Sequence, residues 1–328
     1  MNTMKIAVTG ASGHIGFSIC KELISSGYEV RALVRAHNPL LSALAVVQIK
    51  GDITETTALE ELMDGCDVTI HAAGMIHLGS RYNQKMYDIN VSGTKNVICA
   101  AQKTGVKRFI HFSSVHAYSQ KPHDLPVDET RHFIGERAIF YDQTKRDAHL
   151  LVLNAASEHL EVIVLCPTSV IGPPDYKISK LGQAVIDICK GKVPAVIRGG
   201  FDFVDVRDIA IATVNALTLG RSGESYILGN EYLTIKEFAN LILSTNGSSK
   251  QLRELPLFMG YAGLPFVKSY AAITKRPALY DKAYIDILRD GNIKIISEKA
   301  KQELGYTPRP IRETLIETVQ WLKEYGKI

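Results

Sequence analysis

The chain has 328 residues, 46% of them hydrophobic and 22% charged, and its formal net charge at pH 7 is +4. This composition is ordinary for a globular protein, and the length allows two domains or one large domain with a smaller lobe. The charge is too small to indicate nucleic acid or an anionic membrane, so neither is expected as a partner.

In the N-terminal half, short apolar runs alternate with longer helical patterns. They predict strands at residues 5–9, 29–35, 46–50, 68–72, 108–113 and 162–166, with helices at residues 16–26, 57–63, 86–104 and 141–158. Strands separated by helices form right-handed β-α-β units and a parallel sheet. We therefore predict an α/β fold in which residues 1–171 form a Rossmann-type, doubly wound parallel sheet.

After about residue 172 this alternation loosens. Helices are predicted at residues 178–190, 233–244 and 311–325, the second of them capped by Thr234 or one of its neighbours. Short strands are predicted at residues 203–206 and 225–228. We expect residues 172–328 to form a smaller α+β lobe that mainly binds substrate, with segments near residues 200–230 returning to the main sheet.

The cysteines and the N-terminus predict a cytoplasmic protein. The five cysteines are scattered, odd in number and form no Cys-x-x-Cys pair, which favours free thiols in a reducing compartment. The first apolar run is too short for a signal peptide. No uninterrupted apolar stretch approaches the ~20 residues of a membrane span, because glycines, prolines and a lysine interrupt residues 255–273. No membrane insertion is expected.

A glycine-rich loop follows the first predicted strand directly. Its pattern is Gly-x-x-Gly-x-x-Gly at a strand-to-helix junction, where glycines allow a tight turn and a close approach of the backbone to a pyrophosphate. The helix N-terminus adds free amides and a partial positive charge. The loop predicts a dinucleotide site in residues 1–171, formed by Gly10, Ser12, Gly13, His14, Ile15 and Gly16.

The end of the second predicted strand bears on which dinucleotide is bound. An acidic residue that binds the ribose is expected about 20 residues past the glycine pattern, but that region contains Val34 and Arg35. Valine cannot accept a hydrogen bond from a 2′-hydroxyl, whereas Arg35 can pair with a 2′-phosphate. We therefore predict NADP as the cofactor, with NAD as the alternative.

Tyr141 and Lys145 are four residues apart in a predicted helix, so both side chains lie on one face. A free phenol titrates near ~10 and is a poor acid or base at neutral pH. A fixed positive charge beside it favours the phenolate and lowers its pKa. The pair is therefore a candidate for proton transfer.

These motifs occur together with several others in one order and spacing. The chain resembles the extended short-chain dehydrogenases/reductases of the NAD-dependent epimerase/dehydratase superfamily. The runs at residues 30–35, 203–208 and 223–229 resemble the dihydroflavonol-4-reductase-like and 3β-hydroxysteroid-dehydrogenase-like branch of that family. The resemblance covers nearly the whole chain. It rests on the glycine loop, Gly51-Asp52-Ile53, His71-Ala72-Ala73-Gly74, Asn90-Val91-x-Gly93-Thr94, Phe112-Ser113-Ser114, Tyr141-x-x-x-Lys145 and Pro167-x-x-Val170-x-Gly172-Pro173.

The resemblance implies an enzyme with a defined catalytic set. Tyr141 would be the general acid-base group, and Lys145 would bind the nicotinamide ribose and lower the pKa of the tyrosine. Ser114 would hydrogen-bond the substrate oxygen, with Ser113 as a competing candidate. Asn90 falls where the family has a helix-distorting asparagine in a proton relay.

The resemblance also implies how the cofactor is bound and how the chain assembles. A homodimer would form through the helices near residues 90–103 and 141–158. The remaining cofactor contacts would be Asp52 and Ile53 beside the adenine, Ala72, Ala73 and Gly74 along the dinucleotide, and Pro167 and Val170 at the nicotinamide end.

Three histidines in the same half invite a metal or base assignment. His71, His77 and His116 match no zinc-ligand spacing. We interpret them as structural or pocket-lining residues, and no metal is expected.

Three function classes follow. The first is an NADP(H)-dependent reductase of an aldehyde or ketone with an apolar or aromatic body, because residues 75–87 and 255–284 are rich in Tyr, Phe, Met and Leu. The second is a nucleotide-sugar epimerase or dehydratase that retains NAD and needs basic ligands for a diphosphate. Arg198, Arg207, Arg253 and Arg276 are available but form no diagnostic cluster. The third is a non-catalytic dinucleotide sensor.

Overall fold

The computed structural model of the protein describes residues 3–77, 82–274 and 282–328. In chain order its strands are β1 (Lys5–Thr9), β2 (Glu29–Val34), β3 (Val47–Lys50), β4 (Val68–His71), β5 (Arg108–Phe112), β6 (Glu161–Pro167), β7 (Ser169–Ile171), β8 (Ala195–Ile197), β9 (Gly200–Asp205), β10 (Glu224–Leu228), β11 (Glu231–Thr234) and β12 (Arg253–Leu255).

The helices of the described residues lie mostly between these strands. They are α1 (His14–Ser25), α2 (Pro39–Ala43), α3 (Thr56–Met63), α4 (Gln84–Tyr87), α5 (Gly93–Thr104), α6 (Phe140–Leu153), α7 (Lys180–Cys189), α8 (Val206–Ala216), α9 (Ile235–Thr245), α10 (Leu257–Thr274), α11 (Lys282–Asp290), α12 (Glu298–Leu304) and α13 (Ile311–Glu324), with a π-helical segment Asp88–Ser92 and a 3₁₀ turn Val115–Ala117.

The central sheet has seven parallel strands among the described residues, in the spatial order β10-β6-β5-β4-β1-β2-β3. Buried residues such as Ile6, Ala7 and Val8 alternate between two cores, one on each side of the sheet. Strands covered on both faces are continuously apolar, because neither face meets water. The predicted α/β fold with a doubly wound parallel sheet is confirmed.

The chain crosses over at the centre of this sheet. From β1 it runs outward to β2 and β3, and it then returns to β4 on the other side of β1. In a doubly wound sheet the crevice outside the carboxyl ends of the strands at such a point is the usual ligand site. The carboxyl ends of β1 and β4 therefore locate the expected site.

Two small sheets and three helices build a separate core. One sheet has the order β11-β9-β7, the other pairs β12 with β8. Their apolar side chains pack against α7, α9 and α13 around Phe203, Phe238 and Leu315. Thr234 caps α9 as predicted, in a reciprocal capping box with Glu237.

Parts of the C-terminal half pack against the central sheet. Strand β10 extends that sheet beside β6, and α8 packs against α1. Ala300, Leu304 and Tyr306 belong to the same core as β1 and α1. Segments on both sides of residue 171 therefore pack into the same core, and the predicted boundary at that residue separates them in sequence but not in packing.

Helix α10 was not predicted from the sequence. It continues through Gly260, Gly263 and Pro265 over 18 residues, although glycine and proline both disfavour helix interiors.

Among the described residues, no helix is long and apolar enough to cross a membrane. The thiols of Cys20, Cys66 and Cys166 are free and buried, whereas the free thiol of Cys99 is exposed.

Candidate active site

The glycine loop packs the end of β1 against the end of β4. Gly10 has a φ of +76°, which favours glycine, and a Cβ atom there would lie 2.5 Å from the carbonyl carbon of Ala72. A Cβ atom at Gly16 would clash with the carbonyl oxygen of Gly10. Gly13 precedes α1 without a side-chain cap, so the amides of the first turn have no capping partner. The loop thus has the close packing and free amides that suit a pyrophosphate.

The side chains of the other predicted loop residues lie differently. Ser12 borders an open cavity, and Ile15 packs against the core. The Nε2 atom of His14 is hydrogen-bonded to the carbonyl oxygen of Gly172 at 2.7 Å, which joins the loop to the segment after β7. His14 and Ile15 can therefore serve a cofactor through their backbone amides.

Arg35 follows β2 and borders a cavity of about 390 Å³ next to the glycine loop. His37 and Lys177 line the same cavity, and no carboxylate side chain of the described residues does. Arg35 and Lys177 make no ion pair with any residue that the structure describes. The cavity is therefore cationic and suits an anion such as a phosphate. Sequence reasoning found Arg35 and missed Lys177, which comes from the C-terminal half.

Asp52 and Ile53 lie at the end of β3. The Oδ1 atom of Asp52 accepts hydrogen bonds from the amide and the hydroxyl of Thr54, at 3.1 and 3.0 Å. Ile53 is buried in the second core, and its carbonyl oxygen accepts a hydrogen bond from Asn96. Asp52 stays partly exposed at this edge, whereas the Ile53 side chain is mainly a core residue.

Asn90 lies in the π-helical segment before α5. Its Oδ1 accepts a hydrogen bond from the amide of Met75 at 2.7 Å, and its Nδ2 donates to the carbonyl of Met75 and to Thr144 Oγ1, both at 3.0 Å. The helix is thus distorted at Asn90, as the resemblance implied. The side chain holds the segment after Ala72, Ala73 and Gly74 against the helix that carries Tyr141; a role in proton relay stays a prediction.

Ser113 and Ser114 point to different partners. Ser114 Oγ accepts a hydrogen bond from the amide of His116 at 3.2 Å and lies beside the phenol of Tyr141. Ser113 Oγ is instead hydrogen-bonded to His149 Nδ1 at 3.0 Å. The arrangement favours Ser114 as the serine that reaches a substrate oxygen.

Tyr141 and Lys145 are both buried on one face of α6. Lys145 Nζ donates a hydrogen bond to the carbonyl oxygen of Phe112 at 2.7 Å. Burial lowers the pKa of Lys145 to about 8. Burial also raises the pKa of Tyr141, assisted by the negative charge of Asp142, while hydrogen bonding with Ser114 acts in the opposite direction.

The expected lowering of the Tyr141 pKa by Lys145 is therefore wrong for this structure. Removing the phenol from water disfavours the phenolate, and this effect is larger than the opposing effect of the hydrogen bond with Ser114. Tyr141 keeps its proton at neutral pH. In this state it is a donor, which is the form that protonation of a substrate oxygen requires.

His149 was missed by the sequence analysis. It lies one helical turn after Lys145, and its two ring nitrogens are hydrogen-bonded to Ser113 Oγ at 3.0 Å and to Ser225 Oγ at 2.8 Å. The imidazole is fully buried, and burial lowers its pKa to about 3. The spacing of four residues from Lys145 was the available signal, since it places His149 on the face of Tyr141 and Lys145.

Pro167 ends β6 at the carboxyl edge of the central sheet, and Val170 follows on β7, which pairs with β9 in one of the small sheets. Pro167 is buried at the end of β6, and Val170 is half-buried against the first core. Pro167 ends the strand next to β5, which leads to Ser114. Their contact with a nicotinamide stays a prediction.

The other histidines of this half are not arranged as metal ligands. His71 is buried between the hydroxyls of Thr9 and Thr94, and burial lowers its pKa to about 3. His111 stacks on His71 with both ring nitrogens buried and without partners among the described residues. His77 is exposed. Within the described ranges, no group of three or more His, Cys, Asp or Glu side chains could hold a metal ion.

Comparison with known proteins places these residues in context. The model of the "NAD dependent epimerase/dehydratase family" matches residues 6–229. "Sterol demethylase protein B" of Methylococcus capsulatus is 28% identical over 99% of this chain and 100% of its own length. The "putative dihydroflavonol 4-reductase" of Synechocystis is 29% identical over 98% of this chain and 95% of its own length. The crystal structure of gox2253 is 28% identical, with a TM-score of 0.85 and full coverage of both chains.

Proposed function

The chain belongs to the NAD-dependent epimerase/dehydratase family, and on that premise we propose that it is an NADP(H)-dependent reductase of an aldehyde or ketone. One observation carries the proposal. Ser114, Tyr141 and Lys145 are buried together at the carboxyl end of β5, which β4 separates from β1 and its glycine loop. Such a set binds a carbonyl oxygen and delivers a proton to it.

Each residue of this set has its own role in the proposed reduction. Ser114 and Tyr141 donate hydrogen bonds to the carbonyl oxygen and stabilise the negative charge that develops on it. Tyr141 then gives up its proton to that oxygen, and Lys145 holds the ribose next to the tyrosine. A bound NADPH supplies the hydride. Asn90 keeps the loop after β4 and helix α6 in register through Met75 and Thr144.

The preference for NADP rests on the cavity beside the glycine loop. Arg35 from the N-terminal half and Lys177 from the C-terminal half both line this cavity. His37 lines it too and adds a third side chain whose nitrogen could contact a phosphate. Because the described part of the lining contains no carboxylate, a 2′-phosphate would be attracted, whereas a 2′-hydroxyl would find no carboxylate there to accept its hydrogen bond. NADP(H) is therefore the proposed cofactor, and NAD is the alternative.

An apolar or aromatic body is proposed for the substrate. Ile76 in the loop after β4 is exposed, and so are Phe258 and Phe266 on α10, whose opposite face packs against Ile197. The names of the two relatives, a sterol and a dihydroflavonol protein, refer to compounds of this kind. Residues 78–81 and 275–281 of the two predicted apolar segments lie outside the described residues.

The epimerase alternative needs a free basic cluster for a diphosphate. Arg207 pairs with Asp205 at 2.6 Å and with Glu317, and Arg198 lies 3.7 Å from Glu254. Arg253 is exposed on β12, and Arg276 lies outside the described residues. Because two of the four guanidinium groups already have carboxylate partners, the reductase is the stronger proposal.

Assembly and location complete the proposal. Residues 172–328 would supply most of the substrate-binding lobe. A homodimer would form through α5 and α6, which pack against each other. The protein would act in the cytoplasm. Light scattering of the purified protein tests the dimer, since a single mass of 36.2 kDa would contradict it.

The test of function is the cofactor that the purified protein retains, followed by a carbonyl screen with NADPH and NADH. Mass spectrometry identifies the cofactor, and absorbance follows its oxidation. Stoichiometric NADPH oxidation by an apolar ketone or aldehyde supports the reductase. Bound NAD that does not exchange, with turnover of a nucleotide sugar, replaces it by the epimerase. Tight NADP binding without turnover of any carbonyl, alcohol or sugar nucleotide favours the dinucleotide sensor.

A further inference from the structure

An aromatic cluster joins the cofactor cavity to the last helix, and its members are Phe17, Tyr176, Trp321 and Tyr325. Tyr176 and Phe17 both line the cavity and meet edge-on, with ring centroids 5.0 Å apart. On its other side Tyr176 lies edge-on to Trp321 at 5.4 Å and to Tyr325 at 5.1 Å. The last two rings stack on each other at 4.5 Å, at the C-terminal end of α13. Tyr176 therefore contacts α1 and α13 at once.

The segment of residues 173–178, which follows β7, is fixed at both ends. Just before it, the carbonyl oxygen of Gly172 is hydrogen-bonded to His14 of the glycine loop. At its far end, the amide of Ser179 donates to both carboxylate oxygens of the buried Asp175, at 2.9 and 2.8 Å, where α7 begins. The segment is therefore held between the glycine loop and the helices of the C-terminal lobe.

Lys177 lies between two anchored side chains in this segment. Tyr176 is held in the aromatic cluster, and Ile178 packs against the core of the C-terminal lobe. Ile178 has a φ of +38°, which is strained for a β-branched residue and persists only where the surroundings hold it. Lys177 itself is exposed and forms no ion pair with any described residue. The location of its ammonium therefore depends on the two neighbours.

We infer that the aromatic cluster sets the preference for NADP(H) by positioning Lys177 in the cavity. The inference rests on the proposed function, because it takes Arg35 and Lys177 as the ligands of the 2′-phosphate. Trp321 and Tyr325 are positioning residues, since they act through Tyr176. A lysine is a point charge on a flexible stem, so a backbone that is already fixed reduces the entropy lost when it binds a phosphate. Helix α13 thus contributes to the choice of cofactor.

The test is calorimetric titration with adenosine 2′,5′-bisphosphate and with 5′-AMP, which differ only in the 2′-phosphate. The wild type should bind the bisphosphate at least ~10-fold more tightly, because charged groups form the stronger hydrogen bonds. Trp321→Leu should weaken bisphosphate binding by ~5-fold or more and change AMP binding by less than about twofold, since Lys177 is displaced and the glycine loop is not. Trp321→Phe should recover most of the loss, because a phenyl ring still contacts Tyr176.

A double-mutant cycle separates positioning of Lys177 from a general loosening of the fold. Lys177→Met removes the ammonium, so Trp321→Leu should not weaken bisphosphate binding further in that background. Val319→Ala is the matched control, because Val319 faces the core of the C-terminal lobe from the same helix, and it should leave the affinity for both probes unchanged. Tyr325→Leu, at a ring that is 45% exposed, makes the same comparison should Trp321→Leu fail to fold.

The outcomes separate the two proposals. Bisphosphate binding that is unchanged in Trp321→Leu, or that this substitution still weakens in the Lys177→Met background, overturns the inference and leaves the preference for NADP standing. An equal loss for both probes also overturns it. If the wild type binds the two probes equally, the preference for NADP and this inference fail together. The titrations need no turnover, so a failed carbonyl screen refutes the reductase while the two probes still decide the role of the cluster.

Discussion

His149 Nδ1 is hydrogen-bonded to Ser113 Oγ at 3.0 Å, and this bond joins the helix of Tyr141 to the strand end that carries Ser114. The second ring nitrogen holds Ser225 on β10 at 2.8 Å. One buried imidazole thus connects three elements around the proposed catalytic set. Its place one turn after Lys145 makes it a positioning residue for the geometry between Ser114 and Tyr141.

His149→Leu should lower kcat for carbonyl reduction by about 10- to 100-fold, because small displacements of positioned groups have effects of this size. The KM for NADPH should change little, since the glycine loop is on other elements. Steady-state kinetics measures both, and His149→Asn, which keeps a polar side chain, should recover part of kcat. The exposed His159→Leu is the control. An equal rise in the KM for NADPH would indicate general disruption instead.

Tyr141→Phe removes the proposed acid and keeps the ring. We expect turnover to fall by at least ~10²-fold, within the range that general acid catalysis supplies, while NADPH binding measured by fluorescence remains within a factor of about three. Near-normal turnover would reject Tyr141 as the acid.

Arg35→Ser should raise the KM for NADPH by about 10- to 100-fold, because a lost hydrogen bond between charged groups costs about 1.5–3 kcal/mol. Lys177→Met should act in the same direction. The KM for NADH should stay unchanged in both variants, since it lacks the 2′-phosphate. Lys21→Met, at an exposed lysine on α1, is the control. Parallel losses for NADPH and NADH would contradict a 2′-phosphate site.

Activity should decline as the pH rises through about 8, because the pKa of Lys145 is lowered by burial to about 8 and its charge is lost above that value. The proposed contact with the ribose needs the ammonium form. A pH profile of kcat/KM for the carbonyl substrate measures the decline. Lys145→Arg keeps the charge, so any activity it retains should persist to higher pH. A wild-type profile that stays flat beyond pH 9 would contradict this assignment.

Acid should destabilise the fold through its buried histidines. Burial lowers the pKa of His71 and of His149 to about 3, so each is neutral in the folded state. The unfolded chain takes up protons below its ordinary histidine pKa near 6.5. Their stabilisation is therefore present above that pH and is lost as the pH falls from about 6.5 towards 3, by about 2 kcal/mol for each histidine at pH 5.

Urea unfolding at pH 7 and pH 5 measures this loss. His149→Asn should be less stable than the wild type at pH 7 but should lose less free energy of unfolding between the two pH values. The same loss in variant and wild type would show that His149 does not carry the effect.

The sequence alone determined the central sheet, the glycine loop and the face of α6 that carries Tyr141 and Lys145. These features follow from local patterns, namely apolar strands covered on both faces, glycines at a strand end and two residues four apart on a helix. The predicted strands of the main sheet form within two residues of their expected ends.

Tertiary structure decided the features whose partners are distant in the chain. Ser225 reaches His149 because β10 returns to the main sheet, and Lys177 reaches the cavity of Arg35 because the segment after β7 folds back beside the glycine loop. The pKa of Tyr141 rises because the folded protein removes its phenol from water, which no spacing reveals. Helix α10 forms despite Pro265, since packing against Ile197 and its neighbours outweighs an unfavourable local preference.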